Sequence, residues 1–431
     1  MHRTEEISES FLAAVDQWIR TTVDRSSNAL NFGTLLCQLP GVYPTVVVQS
    51  LHRLIRSIEV DSATMHRLLV ESRQLHSDCC VQTHDALPVP HPLDFEWRFT
   101  PSTCSRLLEE AVTLATEKDP VVLLGTPSLA AESSSRSDVG RFITLDTNPA
   151  MLEYLGRCCP AVRAYRFDAA RDIFPNLPPA GVVVADPPWY PEHMKSFLWT
   201  ASHLCRNYGH VLLCLPPMGT RAGIDTERDD LISWATLNGL ECMHVHKGIV
   251  TYQTPLFEHN ALRTKGIEAP LDWRRADLAI FQRRIGIPTT PRPVVEMSTV
   301  TWHEENFGRV RIRLRSPSTQ VFDPRLVPLF GGDILPSVSS RHPFRELVDV
   351  WTSGNRVFGC RNTFILRSIL VALRTGGSPI LHASQAADRK LSLSEAEKTM
   401  VAYNDCLDVL RIEHDEHAEY TREETCKGIP A

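Results

Sequence analysis

The chain has 431 residues, 43% hydrophobic and 22% charged, with a formal net charge of −6. That length holds two or three domains and that composition supplies a core, while the acidic balance excludes a protein that coats nucleic acid indiscriminately. No apolar run approaches the roughly 20 residues that span a bilayer, the acid-rich start MHRTEEISES lacks a signal peptide's apolar stretch, and twelve cysteines without a CxxC pair read as reduced thiols of a cytoplasmic protein with no metal site.

Residues 7 to 23 carry apolar positions at helical spacing, with Ser8 or Ser10 placed to cap the helix. In residues 30 to 54 an apolar helix breaks at Pro40-Gly41, and Pro44 is placed to open the next. Residues 1–90 therefore read as a helical, winged-helix-like N-terminal domain. Its seven arginines against ten acids favour a structural or dimerising role over reading a DNA groove. The adjacent cysteines Cys79-Cys80, like Cys158-Cys159, suit neither a local disulfide nor zinc. A Pro- and His-rich connector leads into a second domain, residues 91–286, in which Phe99-Thr100-Pro101 precedes a helix predicted from residue 102 to about 116.

Residues 120–129 read as a buried strand running into a turn at Gly125, and residues 141–152 as a strand ending on Asp146 followed by a helix start. An acid about 20 positions after the glycine turn is the spacing of a nucleotide-binding βαβ unit, in which it binds ribose hydroxyls. Residues 165–167 give a third strand, followed by Asp168. The fourth, in VVVADPPWY, is apolar on both faces and stops at Asp186-Pro187-Pro188, because proline donates nothing to a sheet ladder. Asp186 is thus delivered to the carboxyl edge, where open α/β sheets bind ligands.

Downstream, residues 193–209 read as a helix closed by Gly209, 210–217 as a strand, and 229–240 as a helix ended by Gly239. Residues 241–253 and 274–284 supply two last strands, expected as an antiparallel edge. The expected fold class is α/β, a Rossmann-like sheet of seven strands. Between the last two strands, residues 254–267 are expected to overhang the same edge as a substrate loop carrying Phe257, His259 and Asn260.

The run at Asp186 suits methylation of an amino nitrogen. An exocyclic amine on a base is a poor nucleophile, since its lone pair is delocalised into the ring. The Asp186 carboxylate and Pro187 carbonyl are placed to accept from its two N–H groups, and Trp189 or Tyr190 offers a flat face for the extruded base. Asp186-Pro187-Pro188-Trp189 resembles the [DNS]-P-P-[YFW] motif of class I S-adenosylmethionine-dependent amino-methyltransferases, including adenine-N6 enzymes, over about residues 95–285. The resemblance implies S-adenosylmethionine as cofactor, with Thr100 leading into the helix that closes over its methionine end. It further implies Gly125 and Thr126 at the first turn, Asp146 on ribose and Asp168 on adenine.

A typical member has G-x-G at the first turn, whereas Gly125 is followed here by Thr126-Pro127-Ser128-Leu129. That turn is similar to one in a branch that includes protein-lysine methyltransferases, in which Asp186 would orient a lysine amine. The chain also resembles branched-polyamine synthases, which join a winged-helix-like domain to a D-P-P-bearing domain and transfer an aminopropyl group; their G-D-D-D loop is missing. Adenine N6 in DNA or RNA is the first expectation for the acceptor. A protein-lysine or other amine follows, then aminopropyl transfer, with a non-catalytic binding protein on the same scaffold as the remaining alternative.

Residues 287–431 form a third, α+β module. In GRVRIRLRS, Val310, Ile312 and Leu314 alternate with arginines, so that Arg311 and Arg313 line a face able to track phosphates. Residues 301–376 hold eleven Arg and no Lys against six acids, and residues 377–431 six bases against eleven acids, a basic module followed by an acidic helical tail.

Overall fold

Strands with both faces covered need predominantly apolar side chains, and the runs VVLL, FITLD and AGVVVA, buried throughout with Thr144 and Asp146 as the polar exceptions, meet that need. The computed structural model describes residues 8–26, 30–57, 62–74, 87–284, 290–296, 300–316, 321–339 and 342–425; Cys79-Cys80 lies outside them. The chain divides into two units. One comprises Met1–Leu87, Trp97–Thr254 and Gly266–Glu296, the other Pro88–Glu96, Pro255–Lys265 and Met297–Ala431.

The first unit holds helices α1 (Glu9–Arg25), α2 (Phe32–Gln38), α3 (Pro44–Arg56), α4 (Ser62–Glu71), α5 (Pro101–Leu114), α6 (Pro127–Ser133), α7 (Pro149–Cys158), α8 (Pro191–Leu204) and α9 (Ile224–Leu237). Its strands are β1 (Arg98–Phe99), β2 (Val121–Leu124), β3 (Phe142–Asp146), β4 (Arg163–Arg166), β5 (Ala180–Ala185), β6 (Cys205–Leu215), β7 (Leu240–Gln253) and β8 (Arg275–Arg283). They form one eight-stranded sheet in the order β1-β7-β8-β6-β5-β2-β3-β4. The seven expected strands are present, and the two-residue β1 adds an eighth. β2 to β6 run parallel, and β8 is antiparallel to both β6 and β7. The expected antiparallel pair at the edge is therefore a single reversed strand, since β7 regains the common direction. Strand order reverses between β2 and β5, the topological switch point that opens a crevice beyond the strands' carboxyl ends.

Local signals set the boundaries. Ser8 caps α1, Pro44 is the first residue of α3, and Thr100 caps α5 one residue earlier than the helix expected from residue 102. α8 ends at Leu204, and Gly209 lies within β6 instead of closing the helix. A Cβ at Gly209 would meet Cys205 Sγ at 2.6 Å and the Gly181 carbonyl at 2.7 Å, so close backbone approach requires this glycine. The N-terminal helices dock on the segments after β6 and before β8. A Cβ at Gly41 would lie 2.8 Å from Pro217, Gly219 N donates to Pro40 O (2.6 Å), and Tyr43 meets Trp273 edge-on at 5.3 Å.

The second unit contains α10 (Leu256–Arg263), β9 (Trp302–Phe307), β10 (Val310–Arg315), β11 (Val327–Pro328), β12 (Val350–Thr352), β13 (Val357–Gly359), α11 (Thr363–Thr375), α12 (Pro379–Ala386) and α13 (Leu393–Thr425). Its antiparallel sheet has the order β11-β13-β12-β10-β9. Val310, Ile312 and Leu314 pack with Ile365, Leu366 and Ile369 of α11, as their alternation requires.

Two expectations are corrected here. Arg311 and Arg313 are not an open phosphate-tracking face. Both bind Glu304 (2.9 and 2.7 Å) and Asp94 (3.0 and 2.6 Å), and Arg311 also donates to Val89 O (2.8 Å). Nor do residues 254–267 form an overhanging loop, because α10 is a buried helix of the second unit. Phe257 is buried, and Asn260 Nδ2 donates to Gly354 O (2.9 Å) and Glu416 (3.1 Å). His259 packs beside Tyr420, with burial pushing its imidazole down to about 4.

The nine described cysteines are free thiols. Among the described residues no helix is long and apolar enough to cross a membrane, and no cluster of His, Cys, Asp and Glu is placed to hold a metal ion.

Candidate active site at the sheet edge

Backbone hydrogen bonds tie four strand ends into one row. Asp186 N donates to Leu124 O (3.3 Å), Gly125 N to Leu145 O (2.9 Å), and Phe167 N to Asp146 O (2.9 Å). Gly125, Asp146, Asp168 and Asp186 therefore share the carboxyl edge, as their spacing suggests. Gly125 has φ +65°, and a Cβ there would lie 3.0 Å from the Phe197 ring of α8. Backbone conformation and helix packing thus require this glycine.

Asp146 is buried, and its Oδ1 accepts from Asn148 N (2.8 Å). Asp168 accepts from Ala170 N (2.8 Å) and pairs with Arg171 (2.9 Å). Thr126 precedes α6, and its buried Oγ1 has no hydrogen-bond partner among the described residues. Thr100 Oγ1 caps α5 through Thr103 N (3.4 Å), and Thr100 N donates to Thr251 O of β7 (3.0 Å).

At Asp186 the strand has ended and the side chain meets residues from three other elements. Tyr252, near the end of β7, donates its hydroxyl to Oδ1 at 2.7 Å. Burial pushes the carboxyl up to about 7, opposed by hydrogen bonds from Tyr252 and the Cys214 thiol and by the Arg274 guanidinium. Trp189 stands edge-on to Tyr252 at 5.9 Å, and Phe99 tilts against it at 5.1 Å. Arg274 places its guanidinium carbon 4.3 Å from the Trp189 ring and 4.0 Å from that of Trp97. Pro187 is buried and Pro188 half-buried, with Pro188 O accepting from Tyr190 N (2.7 Å). Tyr190 begins α8 beside His193 (5.8 Å), so of the two motif aromatics Trp189 is the one that packs on Asp186's partner.

Trp97, Cys214, Tyr252 and Arg274 were not among the residues expected from sequence. Two signals point to Tyr252 and Arg274. Val250 and Tyr252 share the inward phase of β7, and because β8 is reversed, the residue before it, Arg274, falls at the carboxyl edge of the others.

No protein-family model and no curated protein matches the chain. Among solved structures, it is similar to the branched-chain polyamine synthase C9 mutein from Thermus thermophilus in complex with N4-aminopropylspermidine and 5'-methylthioadenosine. That likeness has 14% identity and a TM-score of 0.47, covering 68% of this chain and 97% of that one. A putative RNA methyltransferase from Pyrococcus horikoshii is 15% identical (46% and 93% covered, TM-score 0.34). The N-methyltransferase NodS from Bradyrhizobium japonicum WM9 is 16% identical (42% and 95% covered, TM-score 0.27).

Proposed function

We propose that the protein transfers a methyl group from S-adenosylmethionine to an amino nitrogen, with adenine N6 in DNA or RNA as the acceptor that fits best. The observation that carries this reading is Asp186, a carboxylate beside the switch point, fixed by Tyr252 and bordered by aromatic rings. Asp186 and the Pro187 carbonyl accept from the two N–H groups of the amine, which localises the lone pair and aims the nitrogen. Tyr252 holds the carboxylate's orientation. When the nitrogen becomes positively charged, Asp186 is placed to take its proton, and a carboxyl near 7 suits that task.

The bound cofactor supplies an electrophilic methyl carbon on a sulfonium. Gly125, Thr126, Asp146 and Asp168 would hold it, with Thr100 beside them. The unpartnered Thr126 Oγ1 and the acid at each of two adjoining strand ends fit a ligand rich in hydroxyl and amino groups. A lysine ammonium or a polyamine would bring a second positive charge next to Arg274, which favours an uncharged acceptor amine.

Calorimetric titration with S-adenosylmethionine and its decarboxylated form tests the reading. Micromolar binding of the first, lost in Asp146→Ala, is expected. Preference for the decarboxylated form would move the assignment to aminopropyl transfer, and binding of neither would leave a non-catalytic scaffold.

A further inference from the structure

Helix α13 turns Ala402, Cys406 and Leu410 into the core of its own unit, while a second stripe of the same helix faces outward. Leu393, Met400 and Leu407 recur on that stripe every seven residues, and with Val401 and Ile412 they are 37% to 87% exposed. Glu397, Asn404 and Arg411, likewise exposed, recur at the same interval between them. A repeat that alternates steps of four and three is the seam of a two-helix coiled coil. From Leu393 to Arg411 it runs about 27 Å along the helix.

The order of the charges decides what covers this seam. Glu397 and Arg411 lie equally far from Asn404, on opposite sides of it. A second copy of α13 laid antiparallel about a two-fold axis beside Asn404 therefore sets Glu397 of each copy near Arg411 of the other, and Met400 beside Leu407. The flanking Asp408 and Asp415 then fall near Val401 and Ser394 instead of near each other. A parallel copy would oppose Glu397 to Glu397 and Arg411 to Arg411, and like charges repel. Within its own chain Arg411 is linked to Asp408, 3.4 Å away and one turn back, in a pair exposed on both sides. Such a pair is weak, and the guanidinium can share a second carboxylate across the seam. A polar residue in the middle of an apolar seam, as Asn404 is here, fixes register and the number of helices.

We propose that α13 is a self-complementary docking face: two copies of the chain associate through antiparallel α13 helices, with Asn404 at the axis and reciprocal Glu397–Arg411 pairs on either side. The inference rests on this helix alone and is independent of the methyl-transfer reading.

Sedimentation velocity of the full chain between about 1 and 100 μM tests it, with a concentration-dependent shift from one to two chain masses expected. Leu407→Glu places carboxylates in the seam, and Asn404→Lys brings two ammonium groups together at the axis. Each should leave a monomer over the same range, with native circular dichroism. Glu397→Arg and Arg411→Glu should each weaken association about tenfold, and the double swap Glu397→Arg/Arg411→Glu should restore it. Only antiparallel pairing gives that restoration, because a parallel pair opposes like charges in all four proteins. A wild-type monomer throughout the range overturns the proposal, as does a dimer that Leu407→Glu and Asn404→Lys leave intact. Single swaps that the double swap does not rescue overturn the antiparallel register. If Leu407→Glu misfolds, Asn404→Lys decides alone, since Asn404 is an exposed polar position.

Discussion

Asp186 and Glu413 are both carboxyl groups that burial pushes up to about 7, yet their surroundings differ. Glu413, on α13, has its oxygens taken by its own unit. It accepts from the Thr352 hydroxyl and from Gly354 N (3.0 Å), and lies 3.6 Å from Arg356. Asp186 sits half-buried where a strand has just ended, beside edge-on and tilted rings, with the Tyr252 hydroxyl and the Cys214 thiol donating to it. A displaced pKa alone therefore does not mark a reactive group. What separates the two is that Glu413 is fully buried within its own unit, whereas Asp186 stands at an accessible strand edge.

The sharpest way to break that comparison is to remove each carboxylate. Asp186→Ala should lower methyl transfer about 10³-fold without lowering the unfolding midpoint. Glu413→Ala should cost about 3 kcal/mol in denaturant titrations, since it strands Thr352, Gly354 N and Arg356, while the folded fraction keeps its rate. Loss of stability in the first variant and loss of rate in the second would reverse the two assignments.

Tyr252→Phe keeps the ring contacts and removes the donor to Asp186. A rate loss of about tenfold to a hundredfold is expected. The hydroxyl holds the carboxyl down, so the acid limb of the pH–rate profile should also move to higher pH, which initial rates across pH would detect.

In the wild type that limb should rise through about pH 7, because only the ionised carboxylate accepts the amine N–H and can then take its proton. Stability runs the opposite way. Between about pH 4 and pH 7 the folded state binds more protons at Asp186 and Glu413 than the unfolded state does, so stability should fall as pH rises through that window. Asp186→Asn and Glu413→Gln should each flatten the slope of unfolding free energy against pH. The smallest effect is expected at Gly125→Ala, about 1–2 kcal/mol by thermal melting, from φ +65° and the Phe197 contact.

Strands β2, β3 and β5 were legible because each is a largely apolar buried run ended by glycine, aspartate or proline, local signals that need no distant partner. Gly209 misled because a glycine after a helical run reads as a terminator, and the crowding that requires it comes from Gly181 on a neighbouring strand. Helix α10 was read as a loop because LFEHNALR is one short helix whose Asn260 is satisfied by residues far along the chain. Alternation placed Arg311 and Arg313 correctly on one face of a strand. It could not reveal that Asp94, more than two hundred positions earlier, covers that face. At the site, DPPW located the carboxylate and one aromatic, while Tyr252 and Arg274 arrive through sheet pairing across β7 and β8.

The most direct measurement is transfer of isotope-labelled methyl from S-adenosylmethionine to a single-stranded oligonucleotide, with the modified nucleoside identified by mass spectrometry for wild type and Asp186→Ala. Label on adenine N6, rising from about pH 6 to about pH 8 and absent from the folded variant, is the predicted result. Label on another atom or molecule, or transfer that persists without the Asp186 carboxylate, would contradict it.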